Sequence, residues 1–178
     1  MPTGSRRRPA AACRRPLRCR GACAVPGTSG EANFTERNED RIVIIGHASA
    51  EDSGVILDLL QQSQLPMDGV SDHLATTVVA REDGRIVGSA ALEMYGEHAL
   101  LRSVAVSAAF QRRGLGRVLT EAALAMARER HVRAVYLLTT TAEQFFPKFG
   151  FTRIAREVVP DTVQTSVEFT SAWCLASA

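Results

Sequence analysis

No stretch of 18 consecutive apolar residues occurs in the chain, so no segment is suited to crossing a bilayer as a helix. Cysteine is sparse: Cys13, Cys19 and Cys23 fall near the N-terminus and Cys174 near the other end. Three thiols among arginines have the chemistry to take a soft metal or trivalent arsenic, because neighbouring positive charge favours the thiolate. Their spacing matches no zinc pattern, however, and incidental cysteines in an unstructured extension are the plainer reading, so no metal is expected. Acid is missing from the first 30 residues, which hold seven of the 21 Lys and Arg residues and leave 14 basic against 19 acidic residues, or −5, for the remainder. That balance excludes a broad basic patch for nucleic acid on the folded part, although the tail suits weak contact with polyanions. Ser5-Arg6-Arg7-Arg8 resembles the opening of a twin-arginine export signal, yet no apolar stretch follows before Val25-Pro26-Gly27, and the chain reads as cytoplasmic. No internal repeat is present.

With 178 residues, 46% of them hydrophobic, the chain is long enough for one domain with a substantial core. Residues 1–40 combine Arg, Pro, Gly and polar residues without periodicity and lack the apolar surface that offsets ordering entropy, so they are expected to be disordered, with the domain occupying 41–178. Ile42-Val43-Ile44-Ile45 predicts a first strand, and Ser49-Ala50-Glu51-Asp52 approximates a capping box before a helix carrying Val55, Ile56, Leu59 and Leu60. A loop then leads to Ser71-Asp72-His73-Leu74. Glu82-Asp83-Gly84 is a strong hairpin signal between strands at 77–81 and 85–94. Further strands are expected at 132–139 and 152–159, with a short aromatic helix starting at Thr140 and closed by Gly150 in a left-handed conformation. Beyond Pro160, Val163 and Val167 suit a helix while Val163, Thr165, Val167 and Phe169 suit a strand; the helix is preferred.

The stretch LLRSVAVSAAFQRRGLGR, residues 100–117, organises the rest. Its first half reads as a buried strand and its second as a basic, glycine-bearing turn into a helix with an apolar face of Leu115, Val118, Leu119, Ala122 and Met126. A helix starting near Gly114 leaves its first N–H groups without intrahelical partners and points its positive dipole end forward. With Arg112, Arg113 and Arg117 around it, the junction is suited to a pyrophosphate. The bland alternative is an ordinary strand-to-helix turn with solvated arginines. A Walker loop is excluded because no Gly-Lys-Ser/Thr follows, and a dinucleotide fold lacks its third glycine and distant acid.

The spacing Gln/Arg-x-x-Gly-x-Gly after a strand, together with Phe149-Gly150-Phe151 after an aromatic helix, resembles the GNAT acetyltransferases. That resemblance implies an α/β fold of three layers, a central mixed, mostly antiparallel twisted sheet flanked by helices, with acetyl-CoA as co-substrate. It further implies that the backbone of Val104, Ala105 and Val106 pairs with the pantetheine arm and faces the thioester oxygen. The amides of Gln111, Arg112, Arg113, Gly114, Leu115, Gly116 and Arg117 would hold the pyrophosphate, with Phe146 against the cofactor. Where relatives often carry a tyrosine that protonates the leaving thiolate, this chain has Phe146, which cannot donate a proton.

Acetyl transfer to nitrogen needs two positioned substrates, a group to remove the amine's proton and donors for the oxyanion. Many relatives keep a carboxylate on the central strand, but none occurs over 98–106, leaving Glu93 on the preceding strand and His98 as candidate bases. Tyr95 is a remote substitute for the acid or a substrate contact, and His73 and Asp72 are candidates to line the acceptor pocket. Arg102, alone in an apolar strand, needs an anionic partner: either an acceptor carboxylate or an internal salt bridge to Glu93 or Glu97. Ser103 reads as a core hydroxyl.

LLRSVAV, VYLLTTTAEQFFPKFGF and EFTSAWCLASA further resemble the arsenic-resistance-associated GNAT subgroup, implying a small amine acceptor such as an arsenic-containing amino acid. The chain departs from that subgroup at Cys174-Leu175, where Cys-Pro is usual. Two alternatives stand beside a small-molecule acetyltransferase: an idle acyl-CoA sensor, and an enzyme acting on peptides or proteins. A homodimer is compatible with the sequence without being required by it.

Overall fold

The computed structural model describes residues 10–12, 35–38, 41–139 and 142–170. The strands are β1 (Ala10–Ala12), β2 (Thr35–Asn38), β3 (Arg41–His47), β4 (Thr77–Glu82), β5 (Arg85–Tyr95), β6 (His98–Val106), β7 (Ala134–Leu138) and β8 (Thr152–Ile154). They form one sheet in the order β2-β3-β4-β5-β6-β7-β1-β8, antiparallel throughout except for the parallel pair β6 and β7. This is the mixed, mostly antiparallel α/β arrangement expected.

Helix α2 (Leu115–Glu129) covers one face of the sheet. Its buried Leu115, Leu119, Ala123 and Met126 pack against Val78, Ala80, Leu92, Ala99 and Leu101, with Phe146 and Phe151 closing the same cluster. A Cβ at Gly88 would lie 2.7 Å from Leu119 Cδ1, so the missing side chain is what lets α2 approach the sheet. The opposite face carries α1 (Ser53–Gln62), whose Ile56, Leu59 and Leu60 pack with Val79 and Ala105, and two short C-terminal helices. These are α3 (Asp161–Gln164) and α4 (Val167–Thr170), and Val163 and Phe169 cover Leu100 and Tyr136. Leu100 and Leu101 thus face opposite layers, as the two-residue period requires.

The hairpin turn has Asp83 at φ 49° and Gly84 at φ 77°, the left-handed pair that matches the twist of its strands. Several expectations are corrected. The first forty residues contain two strands, β1 and β2, because a strand needs only backbone partners and β1 finds them on both β7 and β8. Val70–Thr76 is a 3-10 turn. The aromatic helix shrinks to a 3-10 turn at Phe146–Phe149, since Pro147 has no N–H to bond four residues back; Gly150 closes it at φ 88°, as read. The strand at 152–159 stops at Ile154 and bends through a 3-10 turn at Arg156–Val158, where the Arg156 guanidinium donates to the Phe169 carbonyl. After Pro160 the helical reading holds over α3 and α4, interrupted at Thr165 and Ser166. The four cysteines, Thr140 and Thr141 lie outside the described residues. Among the described residues no helix is long and apolar enough to cross a membrane.

At the start of α1, the Asp52 carboxylate accepts from the Ser49 N–H (2.6 Å), the Ser49 hydroxyl (2.9 Å) and the Arg81 guanidinium on β4 (2.6 Å). The Arg81 bond is the main cause that lowers its pKa from 3.8 to about 2, against the opposing effect of burial. A depressed carboxylate contributes stability that is fully present above its unfolded value and is lost as pH falls through the folded one. Arg81→Met should therefore be less stable than the native protein above pH ~4, with the difference shrinking as pH falls from ~4 to ~2, as read from denaturant unfolding followed by circular dichroism.

Candidate active site

The site begins with an irregularity in β6. Its pairing with β5 runs Ala91↔Arg102 and then Ser89↔Ala105, so Ser103 and Val104 together oppose Ala90. Ser103 takes φ 55°, and the Ser89 hydroxyl donates to its carbonyl at 3.0 Å, pinning the extra residue. Such a bulge bends the strand and increases its twist. On the other side, β7 accompanies β6 only from His98↔Ala134 to Leu101↔Leu137. Among the described residues, Arg102 to Val106 have no strand on that edge. Backbone groups of Val104, Ala105 and Val106 therefore lie where a linear ligand can run alongside as though it were a strand.

Beyond Val106 the chain turns through a 3-10 turn at Ala108–Phe110 into α2, with Arg112 at φ 62° and Gly114 at φ 85°. Gln111 Nε2 donates to the Val106 carbonyl at 3.0 Å and holds the turn against the strand end. The N–H groups of Arg117 and Val118 bond the Gly114 carbonyl, so those of Leu115 and Gly116 precede the first helical bonds and point out of the N-terminus. Arg113 stacks on Phe110 with its guanidinium 5.3 Å from the ring centre, and Arg117 pairs with Glu121 at 2.8 Å on the surface. The Phe145 ring lies against Gly116, where an added Cβ would be 3.6 Å away, and carries Lys148 Nζ 3.9 Å above its centre. Lys148 is a cation near this junction that its place in the sequence did not reveal. These residues fit a coenzyme A diphosphate and pantetheine: open strand edge, outward amides, two glycines and surrounding positive charge.

A second cluster occupies the face under α3 and α4. Glu93 is 3% exposed; its Oε1 lies 2.9 Å from His73 Nε2, and its Oε2 accepts the Ser166 hydroxyl at 2.5 Å. Arg102, with a fully buried side chain, places Nη1 3.6 Å from Glu93 Oε2 and Nε 3.2 Å from Glu168 Oε1, while Nη2 donates to the Asp68 carbonyl at 2.5 Å. The salt-bridge alternative for Arg102 is thus the one realised. All three guanidinium nitrogens face protein oxygens, Nη2 through a hydrogen bond and Nε and Nη1 through ion-pair contacts alone among the described residues. Glu97 pairs instead with Arg133 at 3.0 Å on the surface. Tyr95 adjoins the cluster: burial pushes its phenol above 10.0, the Glu93 charge adds to this, and a hydrogen bond with Ser166 opposes it. The phenol stays protonated at neutral pH.

His98 stands apart. It pairs across the ladder with Tyr95, its ring meets Tyr136 edge-on at 5.8 Å, and its buried Nδ1 has no hydrogen-bond partner among the described residues. Phe146 is buried between Phe145 (5.0 Å) and Phe151 (5.8 Å) and borders a cavity of about 180 Å3 lined also by Thr139, Gln144 and Arg153. Ser103, read as a core hydroxyl, is buried with its main contribution made by the backbone. Ser166 and Glu168 were missed: they lie in the segment whose pattern was ambiguous.

Comparison with known proteins agrees with this geometry. Residues 35–151 match the model of the acetyltransferase (GNAT) family. An uncharacterized N-acetyltransferase of Chlorobaculum tepidum is 32% identical over 98 residues, which are 54% of this chain and 63% of that protein, so the chain spans less than two thirds of that relative. Among solved structures, Rv2747 of Mycobacterium tuberculosis in complex with CoA and NLQ superposes with a TM-score of 0.63 at 24% identity, covering 75% of this chain and 88% of that one. N-acetylglutamate synthase of Neisseria gonorrhoeae complexed with coenzyme A and L-arginine gives 0.61 at 24% identity, over 67% of this chain and 30% of that one. At these identities the two structures establish the shared fold.

Gly114 sits in a left-handed conformation that costs a branched residue about 1–2 kcal/mol, equivalent to roughly tenfold in affinity if the turn must be held to bind. Gly114→Val should raise the Kd for acetyl-CoA by about tenfold in isothermal titration, with the circular dichroism spectrum unchanged.

Proposed function

Because the chain belongs to the GNAT acetyltransferase family, we propose that it transfers the acetyl group of acetyl-CoA to the nitrogen of a small primary amine. The observation that carries this reading is the joint presence of an open, bulged edge on β6 and a buried carboxylate, Glu93, on the strand beside it. Bound acetyl-CoA supplies an electrophilic thioester carbonyl and a sulfur leaving group. The outward amides of Leu115 and Gly116 hold its diphosphate, and the edge of Val104 to Val106 aligns its arm, with a backbone amide there stabilising the oxyanion. The buried cluster built on Glu93 takes up the proton from the acceptor's ammonium group. This cluster is favoured over His98 because the Glu93 carboxylate is joined to the partly exposed His73 ring, whereas His98 packs on Tyr136. Phe146 supplies no proton, so the departing sulfur leaves as a thiolate at that position.

The resemblance to the arsenic-resistance subgroup extends this reading to an arsenic-containing amino acid. Such an acceptor brings a carboxylate that Arg102 does not receive, so a cation elsewhere would have to meet it. A non-catalytic acyl-CoA sensor predicts tight coenzyme binding without turnover on any amine, and a peptide acetyltransferase predicts preference for a peptide library over small amines; both are read from the same assay of thiol release. In that assay Glu93→Gln should lower kcat by about 10²- to 10⁴-fold while the Kd for acetyl-CoA stays within about twofold of the native value. Retention of native turnover would remove Glu93 from the proton path.

A further inference from the structure

We infer that the atom meeting the acceptor's ammonium group is Nδ1 of His73, with Glu93 acting behind it as a positioning residue. This rests on the proposed acetyl transfer and refines its proton path.

Glu93 is poorly placed to meet a ligand directly. Its side chain is 5% exposed, one carboxylate oxygen is faced by the His73 ring and the other accepts the Ser166 hydroxyl and faces Arg102. The His73 side chain is 21% exposed, so the ring that touches the buried carboxylate also reaches solvent. With Nε2–H donating to Glu93, a neutral imidazole carries its lone pair on Nδ1, the acceptor a general base requires.

The ring is also held in place. The His73 carbonyl accepts the hydroxyls of Thr76 (3.1 Å) and Thr77 (2.8 Å), and the Thr76 hydroxyl also bonds the Leu92 carbonyl at 2.5 Å. Leu92 directly precedes Glu93 in β5, so the turn that carries the imidazole is strapped to the strand that carries the carboxylate. Ser166 and Arg102 fix the far side of that carboxylate, and the Glu168 contact ties Arg102 to α4.

In the reaction, an N–H bond of the ammonium group breaks and an Nδ1–H bond forms, and the Glu93 charge stabilises the imidazolium. The freed nitrogen pair attacks the thioester carbonyl carbon and a C–N bond forms; the C–S bond then breaks with its electron pair going to sulfur, and a second N–H bond of the acylated nitrogen breaks with its proton going to that thiolate or to solvent, leaving the neutral amide. The proton on Nδ1 then passes to solvent or to that thiolate.

The test is steady-state acetylation of a primary amine by His73→Ala, His73→Gln and Glu93→Gln, each with acetyl-CoA affinity measured and with imidazole added to the assay. His73→Ala should lose about 10²-fold or more in kcat, keep its acetyl-CoA Kd, and recover at least about tenfold with added imidazole, whereas His73→Gln should be inactive and not recover. Rescue reports a missing base and is not produced by a merely structural defect. If His73→Ala keeps native kcat, or loses it without rescue by imidazole, while Glu93→Gln is impaired, the His73 assignment is overturned and the carboxylate itself is the base. If Glu93→Gln and His73→Ala both turn over normally, the proton path through this cluster is overturned as a whole.

Discussion

An extra residue in β6 governs the rest of the molecule. Placing Ser103 and Val104 opposite Ala90 forces the strand to bend, and β7, which ends at Leu138, accompanies β6 no further than Leu101. The open edge created there would be a liability on an ordinary sheet, inviting another strand. Here it lies directly before a turn of Gln111 to Gly116 that aims helix amides into the space in front of α2. In the proposed function, the binding surface for an elongated anionic ligand comes from backbone geometry more than from side-chain identity. That is why glycine, small residues and a single glutamine bond dominate the region.

The opposing face solves a different problem. Three charges, Glu93, Arg102 and Glu168, sit at 3%, 3% and 8% exposure, and burying such groups is tolerable only when they meet one another with further hydrogen bonds. Removing one partner from such a set leaves an uncompensated buried charge, which is more destabilising than the set is stabilising. The cluster therefore links three parts of the chain that hydrophobic and backbone contacts also bring together: the turn bearing His73, the β5 and β6 pair, and the C-terminal helices. Its registration of those parts fixes a carboxylate on β5 opposite Leu100, two residues from the Ala91 and Arg102 pair at which the bulge of β6 begins.

Much of this was legible in residue order, and the rest could not have been. The strand, turn and helix of 100–117 are local, as are the left-handed turn at Asp83-Gly84 and the Gly150 stop, because each depends on conformational preferences of adjacent residues. The bulge is different. Nothing in LLRSVAV marks an extra residue, since register is a relation between β6 and β5 that only pairing creates. The surroundings of Arg102 and Glu93 depend on still longer range. Asp68 is 34 residues from Arg102 and Ser166 is 73 from Glu93, so the choice between an acceptor clamp and an internal salt bridge was undecidable from the strand alone. The N-terminal strands were hidden for a related reason: composition speaks of side-chain burial, whereas β1 and β2 are held by backbone pairing at places the rest of the sheet provides.

The claim on which these relations converge is that acetyl-CoA lies along the open edge of β6 with its diphosphate at the N-terminus of α2. Residue-resolved amide hydrogen exchange, with and without saturating acetyl-CoA, addresses it directly. Slowed exchange concentrated at Val104, Val106, Leu115 and Gly116 is the expected result. Unchanged exchange at those four amides, or protection confined to another surface while the ligand is demonstrably bound, would contradict it.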